Sequence, residues 1–501
     1  MKLCYLLNLF VLLVFYTTLS AQSFRYVHTI FPASVKTAGV VYGSAPFLNY
    51  PYINESATTI QNLVMDLYQP QGDTLSTRPA IIFAHPGGFI TGSRTVDDMV
   101  AFCDTFARKG YVTATIDYRQ GLEVLDNPDL HYQRAAYRGI QDGRTAVRFL
   151  RANATQYGID PNKVHFAGSS AGAFMAINSV TLDSTELPAY VGPVFYTAFG
   201  QNYTGPDLGN PDIGANLGFD GTPDGAMGLW GGVDDTLKIG TDNAEPIFLV
   251  HGTADETVPF NSGPPFGYAS LADVFGSHSI SIRLSSIGIP ASDTYFVEGA
   301  GHEFHGASNG MWENGTGGNE YWDTIVEKST FFFWQIHKPE AAFSVSSNAM
   351  QISFNDQSSG ATEWEWDFGD GEHSIEQNPV HTYSTEGTYL VNLCVRNNIQ
   401  SWDTVSQEIT VLDNTGLTVP LSREINLYPI PSNGKVTIEH GQSLSAENIK
   451  VFNATGKEMP VSITKTGDQH VLDVTGWILG YYVVKIITEG EIVCRKIVVY
   501  K

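Results

Sequence analysis

The sequence predicts an α/β domain with a doubly wound sheet, followed by two all-β domains. Short apolar runs alternate with helical patterns up to about residue 337, which is typical of a parallel sheet covered by helices. After that point strand-like alternation and turn signals dominate. Breaks rich in Gly, Pro and polar residues separate three expected domains. They cover residues 22–337, 340–412 and 425–501, with a linker at 413–424.

Four short apolar runs in the first domain are predicted to be buried strands. They cover residues 80–84, 111–116, 164–167 and 246–250. Between the second and third runs, apolar residues recur at the 3.6-residue period of a helix, from Ala136 to Ala154. Runs that are apolar on both faces suit a parallel sheet, in which active groups gather at the carboxyl ends of the strands.

The third run leads directly into the motif GSSAG, residues 168–172. A tight strand-to-helix turn with small residues on both sides can hold a serine hydroxyl above the sheet edge. Gly makes up 49 of the 501 residues, so this motif alone is more often an ordinary turn serine than a nucleophile. We predict that Ser170 is the nucleophile of an acyl-transfer site, because the groups it needs follow elsewhere in the chain.

The first run ends in HPGGF, residues 85–89, which supplies backbone donors. Two successive glycines after a buried strand can turn their N–H groups toward a substrate oxygen. The N–H of the residue after a nucleophile joins such donors. We therefore predict an oxyanion hole formed by Gly87, Gly88 and Ala171.

An acid and a base follow in the required order. Asp255 comes just after the fourth run, and His302 ends the next apolar run in a Gly-rich turn. A carboxylate beyond the sheet can orient a histidine and stabilise the imidazolium that forms when the serine loses its proton. We predict that His302 is the general base and acid, with Asp255 as its orienting carboxylate.

Other histidines and carboxylates compete for these roles. His305 is the second candidate for the base, and with His302 it forms an H-x-x-H pair typical of metal sites. No third ligand stands at a recognisable spacing, so no metal is predicted. His85 is expected to be structural. Two carboxylates are expected to pair with arginines such as Arg119 or Arg144 outside the site: Asp117 and Asp142.

Residues 25–337 resemble an α/β-hydrolase of the carboxylesterase type. The resemblance rests on the blocks LVMDLYQP, HPGGF, IDYRQG, YGIDPNKVHFAGSSAG, VHGTADETVP and GAGHEF. It departs from the family at Pro86, where members with a three-glycine turn have Gly. The resemblance implies ester hydrolysis through a covalent acyl-serine, with no metal and no cofactor.

The substrate class is predicted from a long polar segment, residues 200–242, which is expected to form loops over the active-site end. A lipase lid is amphipathic and apolar on one face, and this segment is too polar for that. The composition favours short acyl groups on a polar alcohol, such as acetyl or feruloyl esters of polysaccharides. Phe89, Trp230 and Trp312 are candidate pocket walls.

Residues 340–412 resemble a PKD domain, an immunoglobulin-like β-sandwich. The resemblance rests on WEWDFGDG and on the H-T-Y block in NPVHTYSTEGTYLVNLCVRN. Asp370-Gly371 is a hairpin signal, and every second residue from Tyr389 to Val395 faces one side. Such modules serve as spacers or bind polymers in exported enzymes, and we predict a spacer.

Residues 425–501 resemble the C-terminal sorting domain of the type IX secretion system of Bacteroidota. The blocks are INLYPIPSNGKVTIEH, IKVFNATGKEM and GYYVVKIITEGEIVCRKIVVYK, with Ile430 where the family usually has Asn. The resemblance implies export across the outer membrane by the type IX machinery, followed by removal of the domain or its exchange for a surface anchor.

The N-terminus and the net charge fit export. The apolar run of residues 3–16, followed by small residues, predicts a signal peptide at 1–21. It is shorter than the roughly 20 residues a membrane span needs, so the mature chain is not expected to insert into a membrane. The formal charge of −24 disfavours nucleic acid and anionic lipid as partners. The protein is therefore expected to be secreted or on the cell surface.

Two other functions share parts of this pattern. A serine exopeptidase on the same fold would use the same three side chains, but such enzymes generally add a propeller or cap to select peptides. A surface adhesion protein would combine the β-domains with a silent hydrolase scaffold. Loss of a triad residue would favour adhesion, and none is lost in this sequence.

Overall fold

The computed structural model describes residues 25–183, 185, 187–241, 245–288, 293–412, 425–428, 432 and, apart from 441–443, 454–456, 468, 478, 479, 489 and 490, residues 434–499. The predicted signal peptide, the predicted linker and Ile430 lie outside this part of the chain. Two compact units are present, the first ending at His337 and the second beginning at Lys338. The division of the second unit into two domains at 413–424 stays a prediction.

The first unit is built on an eight-stranded mixed sheet. Its strands, in chain order β1 to β8, are Ser34–Leu48, Thr58–Pro70, Arg78–Ala84, Val112–Ile116, Ile159–Ser169, Ala226–Leu229, Ile247–Gly252 and Asp293–Val297. Their spatial order is β1-β2-β4-β3-β5-β6-β7-β8. The pairs β1–β2 and β2–β4 are antiparallel, and the other neighbours are parallel.

Helices cover both faces of this sheet. In chain order α1 to α5 they are Asp97–Lys109, Pro128–Ala152, Ala171–Thr181, Ser277–Ser286 and Glu320–His337. Helices α2 and α3 pack against each other and against β5. Helices α1 and α5 meet through the rings of Phe106 and Phe333, 5.7 Å apart. The doubly wound α/β domain predicted from the sequence is therefore confirmed.

Three strands of this sheet were not predicted. The four predicted runs correspond to β3, β4, β5 and β7, and the apolar run before His302 corresponds to β8. Strands β1 and β2 precede them, and β6 lies inside the segment predicted to be loop. Strand β6 has only four residues, AMGL, and all are buried between β5 and β7. Its pairing on both sides, rather than a local pattern, makes this short run a strand.

Part of the polar segment of residues 200–242 runs beside helix α2, from Gly209 to Thr222. Tyr137 donates to the carbonyl of Gly209 at 2.6 Å, and Arg148 pairs with Asp212 at 2.7 Å. Further along the helix, Arg151 donates to the Thr222 carbonyl at 2.8 Å. These contacts attach the segment to the helix, so the prediction that it lies over the active-site end was wrong for this stretch.

The predicted pairs of carboxylates with arginines were correct in type and partly wrong in partner. Asp142 pairs with Arg119 at 2.8 Å, as expected. Asp117 instead pairs with Arg94, and Arg144 pairs with Asp212. The partners lie far apart in the sequence, because the fold rather than the local pattern brings them together.

The second unit begins with two antiparallel sheets of three and four strands. Strands β9 to β15 are Phe343–Asn348, Gln351–Asp356, Glu363–Asp367, His373–Ser374, Val380–Thr382, Gly387–Arg396 and Trp402–Val411. The WEWDFGDG block and the H-T-Y block meet at Phe368, on which the ring of His381 stacks at 4.2 Å. Tyr383 donates to the Phe368 carbonyl at 2.9 Å, and His381 contacts Asp370 at 2.7 Å.

Two more four-stranded antiparallel sheets follow. Strands β16 to β23 are Ile425–Tyr428, Lys435–His440, Ile449–Asn453, Glu458–Met459, Ser462–Thr466, Gln469–Asp473, Gly480–Thr488 and Glu491–Val499. Their core includes Val436, Ile438, Val451 and Val484, none of them measurably exposed. This part of the chain is all-β, as predicted.

Candidate active site

The turn between β5 and α3 places Ser170 in a strained backbone conformation. Strand β5 ends at Ser169 and helix α3 begins at Ala171. Between them Ser170 has φ 51° and ψ −113°, a region that residues with a side chain rarely adopt. Its N–H donates to the Leu229 carbonyl at 3.0 Å, which ties the turn to β6. A single serine thus projects from the end of a central strand.

The glycines on either side of this turn are required by its packing. A Cβ on Gly172 would lie 2.1 Å from the carbonyl oxygen of Ala84, at the end of β3. A Cβ on Gly168 would lie 2.3 Å from the carbonyl group of Gly172 itself. Contacts this short to backbone atoms leave no room for a side chain, so the packing of this turn requires glycine at both positions.

Three polar side chains that are distant in sequence form one hydrogen-bonded line. The Nε2 atom of His302 lies 3.0 Å from Ser170 Oγ, and its Nδ1 atom lies 2.7 Å from Asp255 Oδ2. Ser170 is 8% exposed and the Asp255 side chain is fully buried. The structure therefore brings together the three residues that the sequence singled out, each at the carboxyl end of its strand.

Asp255 is held by four donors. Its Oδ1 atom accepts from the N–H groups of Thr257 and Val258 at 2.8 and 2.9 Å. Its Oδ2 atom contacts His302 at 2.7 Å and a second histidine, His251, at 3.2 Å. Burial favours the protonated acid, but the hydrogen bonds from His251 and His302 outweigh it and hold the pKa of Asp255 well below its usual range. Asp255 is therefore a carboxylate at neutral pH.

Two of the three predicted oxyanion donors border the same space as the serine. Gly88 and Ala171 line the cleft into which Ser170 opens. Gly87 is not among the described lining residues, and its carbonyl accepts from the N–H groups of Ile90 and Thr91. Its φ of 116° explains why glycine stands there.

The cleft is a trough of about 280 Å³ between helices α2 and α3. Ser170, directly before α3, lines it together with Ala171, Phe174 and Asn178 of that helix. Phe174 and Asn178 are four residues apart and share one face of the helix. Eight residues at 1.5 Å each place Asn178 about 12 Å from Ser170 along the helix. The distal end is polar, because Tyr190 donates to Asp234 there at 3.0 Å.

A loop after β7 forms part of the wall of the trough. Residues 265–266 and 271–274 line it, and the N–H of Ala272 donates to Asp129 in the first turn of α2 at 2.7 Å. Of the long polar segment, only Asp234 reaches the described lining.

Of the three predicted wall residues, Phe89 lines the trough. Trp230 and Trp312 are not among its described lining residues. Trp230 is fully buried behind Ser169, and Trp312 packs on Trp322 at 5.1 Å. The apolar walls are supplied instead by Phe174, Phe266 and residues of α2. Spacing along the chain could not identify them, because they come from three separate elements.

A buried polar group lies directly behind the nucleophile turn. Trp230 Nε1 donates to Ser169 Oγ at 2.9 Å, and Glu303 Oε1 lies 3.5 Å from the same oxygen. Glu303 also accepts from the N–H of Asn309, and burial raises the pKa of its carboxyl group. Sequence reasoning missed Glu303, although its position next to His302 was a signal.

Two other histidines considered in the sequence analysis, His305 and His85, have structural partners. His305 Nε2 lies 3.2 Å from Asp98 Oδ2, and both side chains are fully buried. His85 stacks on Tyr118 at 4.3 Å, and burial lowers its pKa to about 4. His305 thus faces Asp98, and among the histidines that the structure describes only His302 is hydrogen-bonded to Ser170.

In the part of the chain that the structure describes, no three His, Cys, Asp or Glu side chains are grouped as a metal site would require. Over the same residues, no helix combines the length and the apolar character that crossing a membrane demands.

Three family matches cover most of the chain. Residues 65–198 match the BD-FAE family, residues 336–411 match the PKD domain, and residues 426–500 match the secretion system C-terminal sorting domain. The resemblances and the fold class predicted from the sequence are therefore confirmed. The third match indicates export to the cell surface or the exterior, as predicted.

Known proteins similar to this chain include esterases. The chain is 32% identical to carboxylesterase 3B of Mus musculus over 142 residues, 28% of this chain and 23% of the relative. It is 30% identical to neuroligin-like protein glit-1 of Caenorhabditis elegans over 138 residues, 26% of this chain and 17% of the relative. The aligned part thus spans about a fifth of these two relatives. The structure of Thermogutta terrifontis esterase 2 phosphorylated by paraoxon is 20% identical, covers 61% of this chain and 95% of its own, and has a TM-score of 0.39.

Proposed function

We propose that this protein is an exported serine ester hydrolase that acts through an acyl-serine intermediate. The observation that supports it most is the continuous contact from Ser170 Oγ through the His302 imidazole to the Asp255 carboxylate. A serine hydroxyl is a weak nucleophile until a positioned base removes its proton. The matches to an esterase family and to esterases support the same reaction class.

In the acylation step, Ser170 Oγ forms a bond to the acyl carbon of the ester and its proton passes to His302 Nε2. The carbonyl electron pair moves onto oxygen, where the N–H groups of Gly88 and Ala171 would stabilise the charge, with Gly87 as the third predicted donor. Asp255 stabilises the imidazolium. Collapse of the intermediate breaks the bond to the alcohol oxygen, which leaves with the proton from His302.

In the deacylation step, water takes the place of the alcohol. His302 Nε2 removes a proton from the water as its oxygen attacks the acyl carbon, and the same donors hold the second oxyanion. The bond to Ser170 Oγ then breaks, the serine recovers its proton from His302, and the carboxylic acid is released. The protein's own residues balance every proton in both steps.

The proposed substrates are short acyl esters of a polar alcohol, such as acetyl or feruloyl esters of polysaccharides. The trough supports this choice, because it reaches about two helical turns, roughly 12 Å, before the polar side chains of Asn178 and Asp234. A longer alkyl chain would press methylene groups against these polar groups without giving them hydrogen bonds.

The sorting domain supports a second part of the proposal, that the type IX secretion machinery exports the chain. The mature enzyme then meets its substrate outside the cell. The PKD domain is proposed to act as a spacer between the enzyme and whatever holds it there.

The test is hydrolysis of p-nitrophenyl esters from acetate to decanoate. Activity should peak at short chains and fall by on the order of 10³-fold or more in Ser170→Ala. Ser169→Ala is the matched control from the same motif, because Ser169 Oγ faces Trp230 and Glu303 rather than His302. This control should keep most of the activity.

Two results would contradict the proposal. If the wild type is inactive on every ester, the protein is not an esterase. If Ser170→Ala is as active as the wild type, Ser170 is not the nucleophile. Aminoacyl p-nitroanilides are assayed in parallel, because cleavage of these substrates alone would identify a peptidase. Inactivity on both substrate classes would leave the adhesion function.

A further inference from the structure

A second histidine contacts the carboxylate of the proposed triad. His251 is the penultimate residue of β7 and is fully buried. Its Nε2 atom lies 3.0 Å from the carbonyl oxygen of Val258 and 3.2 Å from Asp255 Oδ2. Its Nδ1 atom lies 2.8 Å from the hydroxyl of Ser277, the first residue of α4. No step of the proposed reaction uses this imidazole.

The partners of His251 determine where its proton lies. A carbonyl oxygen only accepts hydrogen bonds, so the nitrogen facing Val258 must carry hydrogen. Asp255 Oδ2 is also an acceptor, so the same N–H is shared between the carbonyl and the carboxylate. In the neutral ring Nδ1 then has a free lone pair, which accepts the Ser277 hydroxyl proton. The whole arrangement is satisfied without a charge on His251.

The shared N–H reaches the one oxygen that also holds His302. Asp255 Oδ2 contacts His302 Nδ1 at 2.7 Å, whereas Oδ1 is taken by backbone N–H groups. Rotation of the carboxylate away from His302 would therefore break contacts on both oxygens. The hydrogen bond to Val258 also closes the loop that carries Asp255, so one imidazole holds both the loop and its carboxylate.

We infer that His251 is a positioning residue that aims the Asp255 carboxylate at His302 and thereby keeps His302 aligned with Ser170. Ser277 orients His251 in turn, so the line of contacts extends from three residues to five. The inference rests on the proposed function. It goes beyond it by assigning a role to two residues, one on β7 and one on α4, that never touch the substrate.

The consequence for catalysis is an effect on turnover rather than on binding. His251 is not one of the described residues that line the trough, so its loss should leave the substrate contacts intact. The imidazolium in the transition state depends on a correctly placed carboxylate, so loss of alignment lowers kcat while KM stays nearly constant.

The test compares three substitutions of His251 in the full chain. His251→Gln places an amide N–H near the position of Nε2 and should retain most of the turnover. His251→Asn is too short to reach Asp255, and His251→Phe keeps the volume but has no donor. Because a hydrogen bond to a charged group is at stake, Asn and Phe should lower kcat by about 10- to 100-fold, with KM changed less than about threefold.

A spectroscopic measurement reports on the His302–Asp255 hydrogen bond directly, so it distinguishes lost alignment from a lower fraction of folded protein. The proton between His302 and Asp255 gives a low-field resonance in proton NMR, and His251→Asn should shift or broaden it while His251→Gln preserves it. Ser277→Ala, the mildest change, should lower kcat less than His251→Asn does and leave KM unchanged.

The outcomes separate this inference from the proposed function. An active wild type with His251→Phe at full kcat and an unchanged resonance overturns the positioning role and leaves the esterase in place. Equal losses in Gln, Asn and Phe that follow thermal stability also overturn it, because packing alone would then explain them. A wild type inactive on every ester overturns the proposed function, and the positioning role with it.

Discussion

Gly172 lies so close to the end of strand β3 that a Cβ on it would be 2.1 Å from the carbonyl oxygen of Ala84. This contact joins the first turn of α3 to the neighbouring central strand and fixes how far Ser170 rises above the sheet. The close packing of α3 on β3 thus requires glycine at position 172. The placement of Ser170, two residues earlier, depends on that glycine.

Replacing Gly172 by Ala should therefore separate α3 from β3. The backbone must move to admit the methyl group, so we expect a loss of about 3 kcal/mol or more in the free energy of unfolding, together with loss of ester hydrolysis. Thermal and urea denaturation measure the first effect. Gly218→Ala is the control, because Gly218 has no atom within 4 Å of its Cβ position. Equal stability of the two variants would contradict the packing argument.

Separate alanine substitutions of the two histidines in the H-x-x-H pair should lower different properties, one activity and the other stability. His302→Ala removes the group that contacts Ser170, and we expect ester hydrolysis to fall on the order of 10³-fold. His305→Ala leaves Asp98 buried without its partner, so stability should fall by about 1–3 kcal/mol while kcat of the folded fraction stays within about tenfold. A reversed order of the kcat values would identify His305 as the base.

Acid stability should depend on Glu55. This buried carboxylate contacts His131, Arg134 and Arg138. Burial raises the pKa of Glu55, but these contacts outweigh it and lower the value to about 2 from 4.5. A lowered pKa means that the stabilisation is complete above about pH 4.5 and is lost as the pH falls toward 2.

Glu55→Gln should accordingly lower the free energy of unfolding by about 3–5 kcal/mol at pH 7, because it leaves buried cations without a counter-charge. The difference from the wild type should shrink as the pH falls from 4.5 to 2. Urea denaturation at several pH values measures it, with the exposed Glu313→Gln as control. A difference that does not vary over this pH range would contradict the lowered pKa, because it would mean that Glu55 titrates equally in the folded and unfolded states.

Narrowing the trough should change acyl specificity without removing activity. Ala136 lines its α2 wall. A phenyl ring there occupies the space of a longer acyl chain, so we expect Ala136→Phe to hydrolyse acetate nearly as well as the wild type and octanoate about 10-fold less well. Ala136→Ser is the size-matched control. A uniform loss over the whole ester series would mean that this trough does not hold the acyl group.

The first unit should be active without the β-domains. Its core consists of residues that all precede His337. We expect a fragment of residues 22–337 to retain the kcat/KM of the full chain on p-nitrophenyl acetate. If the PKD domain is a spacer, retention on insoluble polysaccharide should also be unchanged. Retention that disappears in the fragment would identify a binding module in the second unit.

Sequence patterns were sufficient for the elements that carry strong local signals. The apolar runs of β3, β4, β5 and β7 and the motif at Ser170 could be read directly, because burial on both faces and the tight turn leave compositional traces. The order of Asp255 and His302 followed from the resemblance and from their places after apolar runs.

The parts that could not be predicted depend on contacts between distant segments. Strand β6 is four residues long and becomes a strand only through its two neighbours. His251, Glu303 and Asp98 acquire their roles from partners on other elements. The polar segment was expected over the site, yet its carboxylate at Asp212 pairs with two arginines on the side of α2. Nothing in the segment itself specifies that location.

The position of β8 at the edge of the sheet affects how the protein loses activity. Ser170 follows β5, which has neighbours on both sides, whereas His302 follows β8, which has only β7. Edge elements open more readily than the central ones, at a free-energy cost below that of global unfolding. Heat should therefore separate base from nucleophile while most of the sheet is still intact, so inactivation would occur below the melting temperature.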